Sequence, residues 1–308
     1  MHPLIQKKSR SQSENCKFSI VIPSWNNLKY LQLCIRSLRE NSTYPHQLIV
    51  MVNEGSDGTL AWVEAQEDID FVYCPTNIGI CYGLNACRQL VYTSYLLYAN
   101  DDMYFCPQWD SKLWEAASQQ PSPWFMLSGT MIERSGHNPC CVIANYGDSP
   151  DDFMERELLS DLPRLARPDW MGSTWPPNLV PVELWDLVGG MSVEFSPGMY
   201  SDPDLSMKLW QAGVRSFIGV GESLVYHFGC VSTRRMKKNR GREMFLAKWK
   251  ISSNLFMHNF LHLGETPPRI TPEPHLSFLQ KCGLKFRLFF AFLKKTGSSA
   301  MISRRFNK

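Results

Sequence analysis

The chain has 308 residues and a mass of 35.4 kDa, with 44% hydrophobic and 12% aromatic residues, enough to bury a sizeable core. This composition excludes a disordered or fibrous protein and predicts one or two domains. The net charge of +3 conceals a division, because residues 234–308 carry 17 basic and 3 acidic side chains, whereas residues 1–233 carry 15 basic and 26 acidic ones. We therefore expect the two parts to face different partners.

Residues 1–15 are polar and charged. They predict a flexible arm rather than a secretory signal, because they lack the apolar core and cleavage site of such a signal. No uncharged apolar stretch of the sequence approaches the roughly 18 residues that span a bilayer. The ten cysteines include no CxxC pair, which favours reduced, buried thiols over a disulfide framework or a metal cluster. Together these features predict a cytoplasmic protein.

After the arm, strand-like and helix-like segments alternate. Short apolar runs predict strands at residues 18–23, 47–52, 71–74 and 94–99. The spacing of apolar residues predicts intervening helices at residues 28–40, 60–66 and 83–91. This alternation predicts an α/β protein with a central, mostly parallel sheet flanked by helices.

Beyond residue 107 the alternation is less regular. Strands are predicted at residues 124–131, 141–145 and 224–228, and helices at residues 181–188 and 204–211. Between them, residues 149–178 are rich in Asp, Pro and Trp and predict a long irregular segment with a short helix. Segments of this length are usually functional or disordered.

The loops that follow the first four predicted strands are polar and read PSWNN, NEGSDGT, CPTNIGI and NDDMYF. Ligands of open α/β sheets bind beyond the carboxyl ends of the strands, so these loops are the first candidates for a site. None of them matches a GxGxxG or P-loop phosphate-binding pattern, which argues against an ordinary dinucleotide enzyme or P-loop enzyme.

Asp101 and Asp102 directly follow the strand predicted at residues 94–99. Adjacent carboxylates repel each other, and a hard cation such as Mg²⁺ or Mn²⁺, shared with phosphate oxygens, is the usual way to hold both ionised. The alternative is that these residues form a helix cap or a solvated turn.

Asp202 and Asp204 flank Pro203 at the start of the helix predicted at residues 204–211. We expect one of them to be the N-cap, which accepts hydrogen bonds from free backbone amides. If Asp204 is the cap, Asp202 is well placed to be a general base that deprotonates an acceptor hydroxyl.

His227 lies in SLVYHFG, just after a strand-like run, where it is either a hydrogen-bonded structural residue or a ligand. A dense cationic stretch follows it. This stretch predicts either a solvated surface or a clamp for a pyrophosphate, and it contains Arg234, Arg235, Lys237, Lys238, Arg240 and Arg242.

Taken in order, these segments resemble the family 2 glycosyltransferases of the GT-A fold over residues 17–249. SIVIPSWNN looks like the family's opening strand and donor-base loop, VNEGSDGT like its acidic turn, and PTNIGICYGLNAC like the segment around the donor. NDDMYF matches the metal motif, and GGMSVEFSPGMYSDPDLSMKLWQAG looks like the acceptor-side motif. The resemblance implies a nucleotide-sugar-binding GT-A fold.

The resemblance also implies roles for individual residues. It implies that Asp102 and His227 bind a divalent cation, Mn²⁺ or Mg²⁺, and that Asp202 is the general base. Ser201 stands where an acid frequently precedes the base, which leaves Asp204 as a rival. The implied contacts of the donor are Pro23, Ser24, Trp25, Asn26, Glu54, Asn77, Gly79, Asn85 and Asp101, together with the clamp residues Arg234 and Arg235.

The implied reaction is an inverting transfer of a sugar from a nucleotide-diphosphate sugar to a hydroxyl of a saccharide or glycoconjugate acceptor. The cation and the cationic stretch stabilise the charge that develops on the diphosphate, while the base takes the acceptor proton. Trp170 and Trp175, in the irregular segment, either stack on the acceptor or pack in the core.

The predicted organisation is an arm (1–15), a GT-A domain (16–250) and a basic, helical C-terminal extension (251–308). Residues 16–107 are the predicted donor-binding half of the domain and residues 108–250 its acceptor half. Within the extension, residues 278–295 place phenylalanines on one helical stripe surrounded by Lys and Arg. This pattern predicts either a helix at an anionic membrane surface, peripheral on the cytoplasmic face, or a helix packed on the domain. No RNA- or DNA-binding motif is present, so we expect no nucleic-acid partner.

Two other functions compete with glycosyl transfer. A nucleotidyltransferase on a related sheet needs a Gly-rich, basic phosphate loop after the first strand, and PSWNN is not one. A catalytically silent carbohydrate- or membrane-binding protein of the same fold has no need for Asp101, Asp102, Asp202 and His227.

Overall fold

An eleven-stranded mixed sheet runs through the computed structural model, which describes residues 5–10, 15–229, 239–267, 274, 276–277, 280 and 282–284. The strands are β1 (Gln6–Lys8), β2 (Ser19–Trp25), β3 (Gln47–Asn53), β4 (Ile69–Cys74), β5 (Tyr95–Tyr98), β6 (Met103–Phe105), β7 (Phe125–Glu133), β8 (Val142–Ile143), β9 (Trp170–Met171), β10 (Asn178–Pro181) and β11 (Ser216–His227). The helices are α1 (Leu28–Asn41), α2 (Thr59–Glu64), α3 (Gly79–Cys87), α4 (Trp109–Ser118), α5 (Glu155–Leu165), α6 (Val182–Leu187), α7 (Ser201–Gln211), α8 (Gly241–Trp249) and α9 (Ser253–Asn259).

The first half of the sheet is parallel, as the sequence predicts. β4, β3, β2 and β5 lie side by side in that order, each parallel to its neighbour. Every strand and helix predicted before residue 100 is present, but α3 begins at Gly79 instead of residue 83. Gly79 has a φ of +76°, and a Cβ at this position would lie 2.8 Å from the Cα of Pro197. A glycine is therefore required where the chain enters this helix.

The second half of the sheet is mixed. β10 lies antiparallel between β5 and β7, β11 runs parallel to β7, and β6 forms the edge antiparallel to β11. The sequence pattern did not predict β6, α4 or β10. β10 has only four residues and follows two prolines, so its apolar pattern is too short to distinguish it from a loop.

β11 begins well before residue 224, where the sequence predicts its start. Its early part contains Gly219, which the pattern treats as a break. A Cβ on Gly219 would lie 1.8 Å from the ring of Trp170. The glycine therefore allows the indole to pack directly on the backbone of β11, and the strand continues through this position. The Trp170 ring is 3% exposed, and its Nε1 donates to Thr130 Oγ1 at 2.8 Å, so it packs in the core and does not offer a face to a sugar.

Two apolar layers cover the faces of the sheet. In β2, Ile20 and Ile22 pack on the layer formed with α1, α2 and α4, whereas Val21 packs on the layer that contains α3, α6, α7, α8 and α9. Burial of both faces explains why the central strands read as nearly continuous apolar runs.

The described part of the N-terminal arm is ordered against the sheet. β1 pairs antiparallel with β4, from Gln6 opposite Tyr73 to Lys8 opposite Phe71. Arg10 extends this contact, because its Nη2 donates to the carbonyl of Glu64 at 2.9 Å. The expectation of a flexible arm is wrong for residues 6–8, since the open edge of β4 provides backbone partners for the added strand.

The C-terminal extension begins with a helix that packs on the domain. Phe256 of α9 is fully buried in the layer shared with α7 and α8, and Leu284 packs on the same layer. Most of the helix predicted at residues 278–295 lies outside the described residues. Among the residues the structure describes, no helix has both the length and the apolar character needed to cross a membrane. The cysteines that the structure describes are free thiols, and most of them are buried.

Candidate active site

Asp101 and Asp102 occupy the turn between β5 and β6, at the carboxyl edge of the sheet. Their exposed fractions are only 5% and 4%. The carbonyl of Asp102 accepts a hydrogen bond of 3.1 Å from the Phe228 amide, which ties the turn to the end of β11. The two carboxylates are therefore held rigidly and do not form a solvated surface turn.

His227 joins this turn from the last position of β11. Strand register places it opposite Met103 of β6 on one side and Glu133 of β7 on the other. Its Nε2 lies 3.4 Å from Asp102 Oδ1, and its Nδ1 lies 2.9 Å from Glu133 Oε1. The structure thus brings Asp102 and His227 together and adds Glu133, which was not predicted because it lies two residues beyond the strand predicted at residues 124–131.

The pair formed by Asp102 and His227 fits a cation that is shared with a substrate. Within the described ranges, no group of three or more His, Cys, Asp or Glu side chains is arranged as a metal site closed by protein ligands. Mg²⁺ and Mn²⁺ bind at about 2.1 Å and commonly take phosphate and water for several positions, so two protein donors some 3 to 4 Å apart suffice. The observed 3.4 Å between Asp102 Oδ1 and His227 Nε2 meets that condition.

Asp202 lines a cavity of about 570 Å³ that is also lined by His227, Glu133, Asn100, Tyr98 and Trp175. The residue is half-buried, and its Oδ1 has no hydrogen-bond partner among the residues that the structure describes. Burial raises the pKa of Asp202 to about 7. The carboxyl group therefore changes charge near neutral pH, as a general base requires.

Tyr98 also lines this cavity. Burial raises the pKa of the Tyr98 phenol, and the carboxylates of Asp202 and Asp102 raise it further. The phenol therefore remains protonated and adds no negative charge to the cavity.

Asp204 has a different environment from Asp202 on the same helix. It is fully buried. Its carboxylate accepts a hydrogen bond of 2.7 Å from Trp249 Nε1 and forms an ion pair of 2.9 Å with Lys248 Nζ. The expectation that one of the aspartates caps the helix is wrong, because α7 begins at Ser201 and its N-cap residue is Tyr200, which makes no side-chain cap bond. Asp204 instead ties α7 to α8.

The predicted nucleotide-binding loops meet where β2 and β3 end side by side. Asn26 Nδ2 donates to Glu54 Oε2 at 3.0 Å, and Asn26 Oδ1 accepts from the amide of Ser56 at 2.9 Å. Asn26 and Glu54 both have a positive φ, 46° and 61°, a strained conformation that often marks a binding loop. Trp25 directly precedes Asn26 in the sequence, whereas Pro23 and Ser24 are buried within β2.

The other predicted donor contacts hold the loop before α3 and the loop after α6. Asn77 Oδ1 accepts from the Gly79 amide at 2.8 Å, which closes the turn that starts the helix. The side-chain amide of Asn85 exchanges two bonds of 2.8 Å with the backbone of Met191. Asn85 thus anchors the loop after α6, and its amide is already engaged within the protein. Arg234 and Arg235 lie outside the described residues.

Residues 19–133 match the profile of the family described as Glycosyl transferase family 2. No curated protein is similar enough in sequence to match the chain. Solved structures match in fold. S. aureus TarS 1-349 is 12% identical, with a TM-score of 0.55 over 90% of this chain and 72% of that one.

Two further structures have similar folds. GalNAc-T7, solved with UDP, GalNAc and Mn²⁺, is 12% identical, with a TM-score of 0.54 over 80% of this chain and 51% of that one. The mannosyltransferase PcManGT from Pyrobaculum calidifontis, in complex with GDP-Man and Mn²⁺, is 14% identical, with a TM-score of 0.51 over 94% of this chain and 76% of that one. The chain spans about half the length of GalNAc-T7.

The class of protein follows from these findings. At such low identities the solved structures establish the fold, which is GT-A, and the sequence profile covers residues 19–133, the part of the chain that contains the predicted donor loops. The predicted resemblance to family 2 glycosyltransferases and the predicted fold are confirmed. The chain is a glycosyltransferase of the GT-A fold.

Proposed function

We propose that the protein is an inverting, metal-dependent enzyme that moves a sugar from a nucleotide-diphosphate sugar to an acceptor hydroxyl, in the synthesis of a polysaccharide or glycoconjugate. The observation that carries the proposal is the cavity shared by Asp202 and His227. A base and a cation-binding histidine that line one cavity can hold the two reactants together. Residues 16–107 form the donor half of this arrangement and residues 108–250 the acceptor half.

The donor side is proposed to bind the nucleotide and its diphosphate. Trp25, Asn26 and Glu54 surround the ends of β2 and β3, where the nucleoside would lie, while Asp101 and Asp102 lie at the end of β5. A bound Mn²⁺ or Mg²⁺ supplies positive charge beside the leaving diphosphate. The structures of GalNAc-T7 with UDP and Mn²⁺ and of PcManGT with GDP-Man and Mn²⁺ support this assignment. Arg234 and Arg235 are proposed to add charge-assisted hydrogen bonds to the diphosphate.

Asp202 is the proposed general base. As the acceptor oxygen bonds to the anomeric carbon, the bond from that carbon to the diphosphate oxygen breaks, its electron pair leaves with the diphosphate, and the acceptor proton passes to Asp202. A single displacement of this kind inverts the anomeric centre. The contacts of Asp204 with Lys248 and Trp249 favour Asp202 over its rival, because Asp204 is buried away from the cavity.

The acceptor is proposed to be a saccharide or glycoconjugate that lies against Trp175. This half-buried tryptophan lines the cavity together with Tyr200 and Met257. An aromatic face pairs well with the C–H face of a sugar ring, and Asp202 is then beside the hydroxyl group.

The basic C-terminal extension is proposed to hold the protein at an anionic membrane surface on the cytoplasmic side. The excess of basic residues beyond residue 233 supports this proposal. Co-sedimentation measures this membrane binding, with vesicles that contain anionic lipid compared with neutral vesicles. Equal binding to the two kinds of vesicle would overturn it.

The function is tested by a panel of nucleotide sugars. With Mn²⁺ present, the correct donor should raise Tm by mass action and should be hydrolysed or transferred, and chelation of the metal should remove both effects. Proton NMR of the product should show the anomeric configuration opposite to that of the donor. Absence of nucleotide binding and of turnover across the panel would refute glycosyl transfer, and retention of configuration would refute the single displacement.

The metal assignment is tested by Asp102→Ala. We expect this variant to lose Mn²⁺-dependent donor binding in calorimetry, because one of the two protein ligands is removed. Asp186→Asn is a matched control, since Asp186 is an exposed aspartate paired with Arg88 and should bind donor like the wild type. Equal donor affinity in the wild type and in Asp102→Ala would overturn the assignment.

A further inference from the structure

Glu133 lies beside the proposed cation-binding pair without being one of its ligands. It is the last residue of β7, and strand register places it directly alongside His227 of β11. The carbonyl of Glu133 accepts a hydrogen bond of 3.0 Å from the amide of Ala144, which follows β8. The backbone of Glu133 is therefore held between β8 and β11. The side chain lines the cavity and reaches His227 Nδ1 at 2.9 Å.

We propose that Glu133 is a positioning residue that fixes the tautomer and the ring orientation of His227 for cation binding. The inference rests on the proposed function, because that function assigns a cation to Asp102 and His227. A carboxylate that accepts a hydrogen bond from Nδ1–H leaves Nε2 with its lone pair, directed towards Asp102 Oδ1. A carboxylate partner of this kind also makes the imidazole a stronger ligand.

The surroundings of Glu133 are consistent with this role. The neighbouring cation, Arg134, pairs with Asp148 and thus engages a different carboxylate. Burial and the Glu133 carboxylate raise the pKa of the neighbouring Cys141 thiol, so the thiol stays neutral. The Glu133 carboxylate therefore lies beside an uncharged group and keeps its contact of 2.9 Å with His227 Nδ1.

The inference is tested by titration of Mn²⁺ followed by electron paramagnetic resonance, with no donor and again with UDP. Glu133→Ala should weaken Mn²⁺ binding about 10- to 100-fold, as is typical when the orienting partner of a histidine ligand is lost. Glu133→Gln keeps an oxygen that can accept from Nδ1–H and should recover most of the affinity. Glu222→Gln, which alters an exposed glutamate paired with Lys112, should match the wild type.

A spectroscopic measurement separates this role from a structural one. In the wild type loaded with diamagnetic Mg²⁺, ¹⁵N NMR of the imidazole should show His227 protonated at Nδ1 only, and Glu133→Ala should lose this signature while circular dichroism stays unchanged. Wild-type Mn²⁺ affinity in Glu133→Ala would refute the inference, as would Nε2 protonation in the Mg²⁺-loaded wild type. Should Glu133→Ala fail to fold, a loss of affinity in folded Glu133→Gln as large as that in Asp102→Ala would also refute it.

The same titration distinguishes failure of the inference from failure of the proposed function. If Asp102→Ala loses Mn²⁺ binding and Glu133→Ala does not, the cation remains assigned to Asp102 and His227 and only the role of Glu133 is wrong. If the wild type and Asp102→Ala bind Mn²⁺ equally, the proposed metal dependence itself is wrong.

Discussion

Two carboxylates at opposite edges of the sheet, one buried and one half-buried, have opposite chemistry. Asp110 lies at the start of α4 and near the amino ends of β2 and β3, where its oxygens accept hydrogen bonds from the amides of Thr43 and Tyr44 at 2.8 Å, and lie 3.0 Å from His46 Nε2. Asp202 lies across the molecule, in the cavity at the carboxyl edge, and its Oδ1 has no partner within the described residues.

The pKa values follow from these partners. Burial opposes ionisation of Asp110, but the hydrogen bonds from His46 and from the backbone outweigh it and lower the pKa. At Asp202 burial acts without compensation and raises the pKa to about 7. The comparison teaches that burial alone does not decide the charge of a carboxylate. The hydrogen-bond partners decide it, because they lower the pKa of Asp110, whereas burial alone raises the pKa of Asp202.

The largest expected effect is on catalysis by Asp202→Asn. Removal of the proposed base should reduce transfer about 10²- to 10⁴-fold, the usual contribution of general acid–base catalysis. The donor affinity should stay within a factor of two or so of wild type, because Asp202 lies on the acceptor side. Single-turnover transfer and donor calorimetry measure the two quantities. Full glycosyl-transfer activity in Asp202→Asn would show that another group is the base.

Asp110→Ala should have its main effect on stability. It leaves the amides of Thr43 and Tyr44 and the imidazole of His46 without their common acceptor, at an expected cost of about 3 to 5 kcal/mol of unfolding free energy at pH 7. Urea unfolding measures this cost. The sign follows from the lowered pKa, because the contribution of Asp110 is present above its unfolded pKa of about 3.9 and is lost as the pH falls through the folded value. A loss of less than about 1 kcal/mol would contradict the comparison.

The pH dependence of glycosyl transfer should follow the ionisation of Asp202. A base must be unprotonated, so kcat/KM should rise about tenfold per pH unit below pH 7 and level off above it. The same raised pKa predicts that ionisation of Asp202 destabilises the fold, because the folded state holds the proton more tightly than the unfolded chain from about pH 4 to pH 7. Profiles of activity and of Tm between pH 5 and pH 9 measure both. A level activity profile through pH 7 would contradict the assignment.

The smallest expected effect is that of Trp175→Ala on the acceptor. Loss of a stacking face worth about 1 kcal/mol should raise the acceptor KM about fivefold and leave donor affinity unchanged. Trp124→Ala is the control, because Trp124 is 41% exposed and lies outside the cavity of Asp202. Equal effects of the two substitutions on the acceptor KM would show that Trp175 does not contact the acceptor.

Much of the donor half could be predicted from sequence because its signals are local. A strand buried on both faces is a short apolar run, and a polar loop follows each of these runs at the edge of the sheet. These rules identified β2 to β5, the turn at Asp101 and Asp102, and the histidine at the end of β11.

The remaining features depend on residues distant in the chain, and only the tertiary structure decided them. Asp204 is paired by Lys248 and Trp249, from a helix that the sequence pattern did not predict. The partner of His227 is Glu133, 94 residues away in the sequence, and the amide of Asn85 is held by Met191, 106 residues away. Periodicity reports which face of an element is buried, but not which side chain from elsewhere meets it there. Sequence therefore determined that Asp101, Asp102 and His227 lie near strand ends and that Asp202 lies at the start of a helix. Three-dimensional packing determined which side chains from elsewhere in the chain surround them.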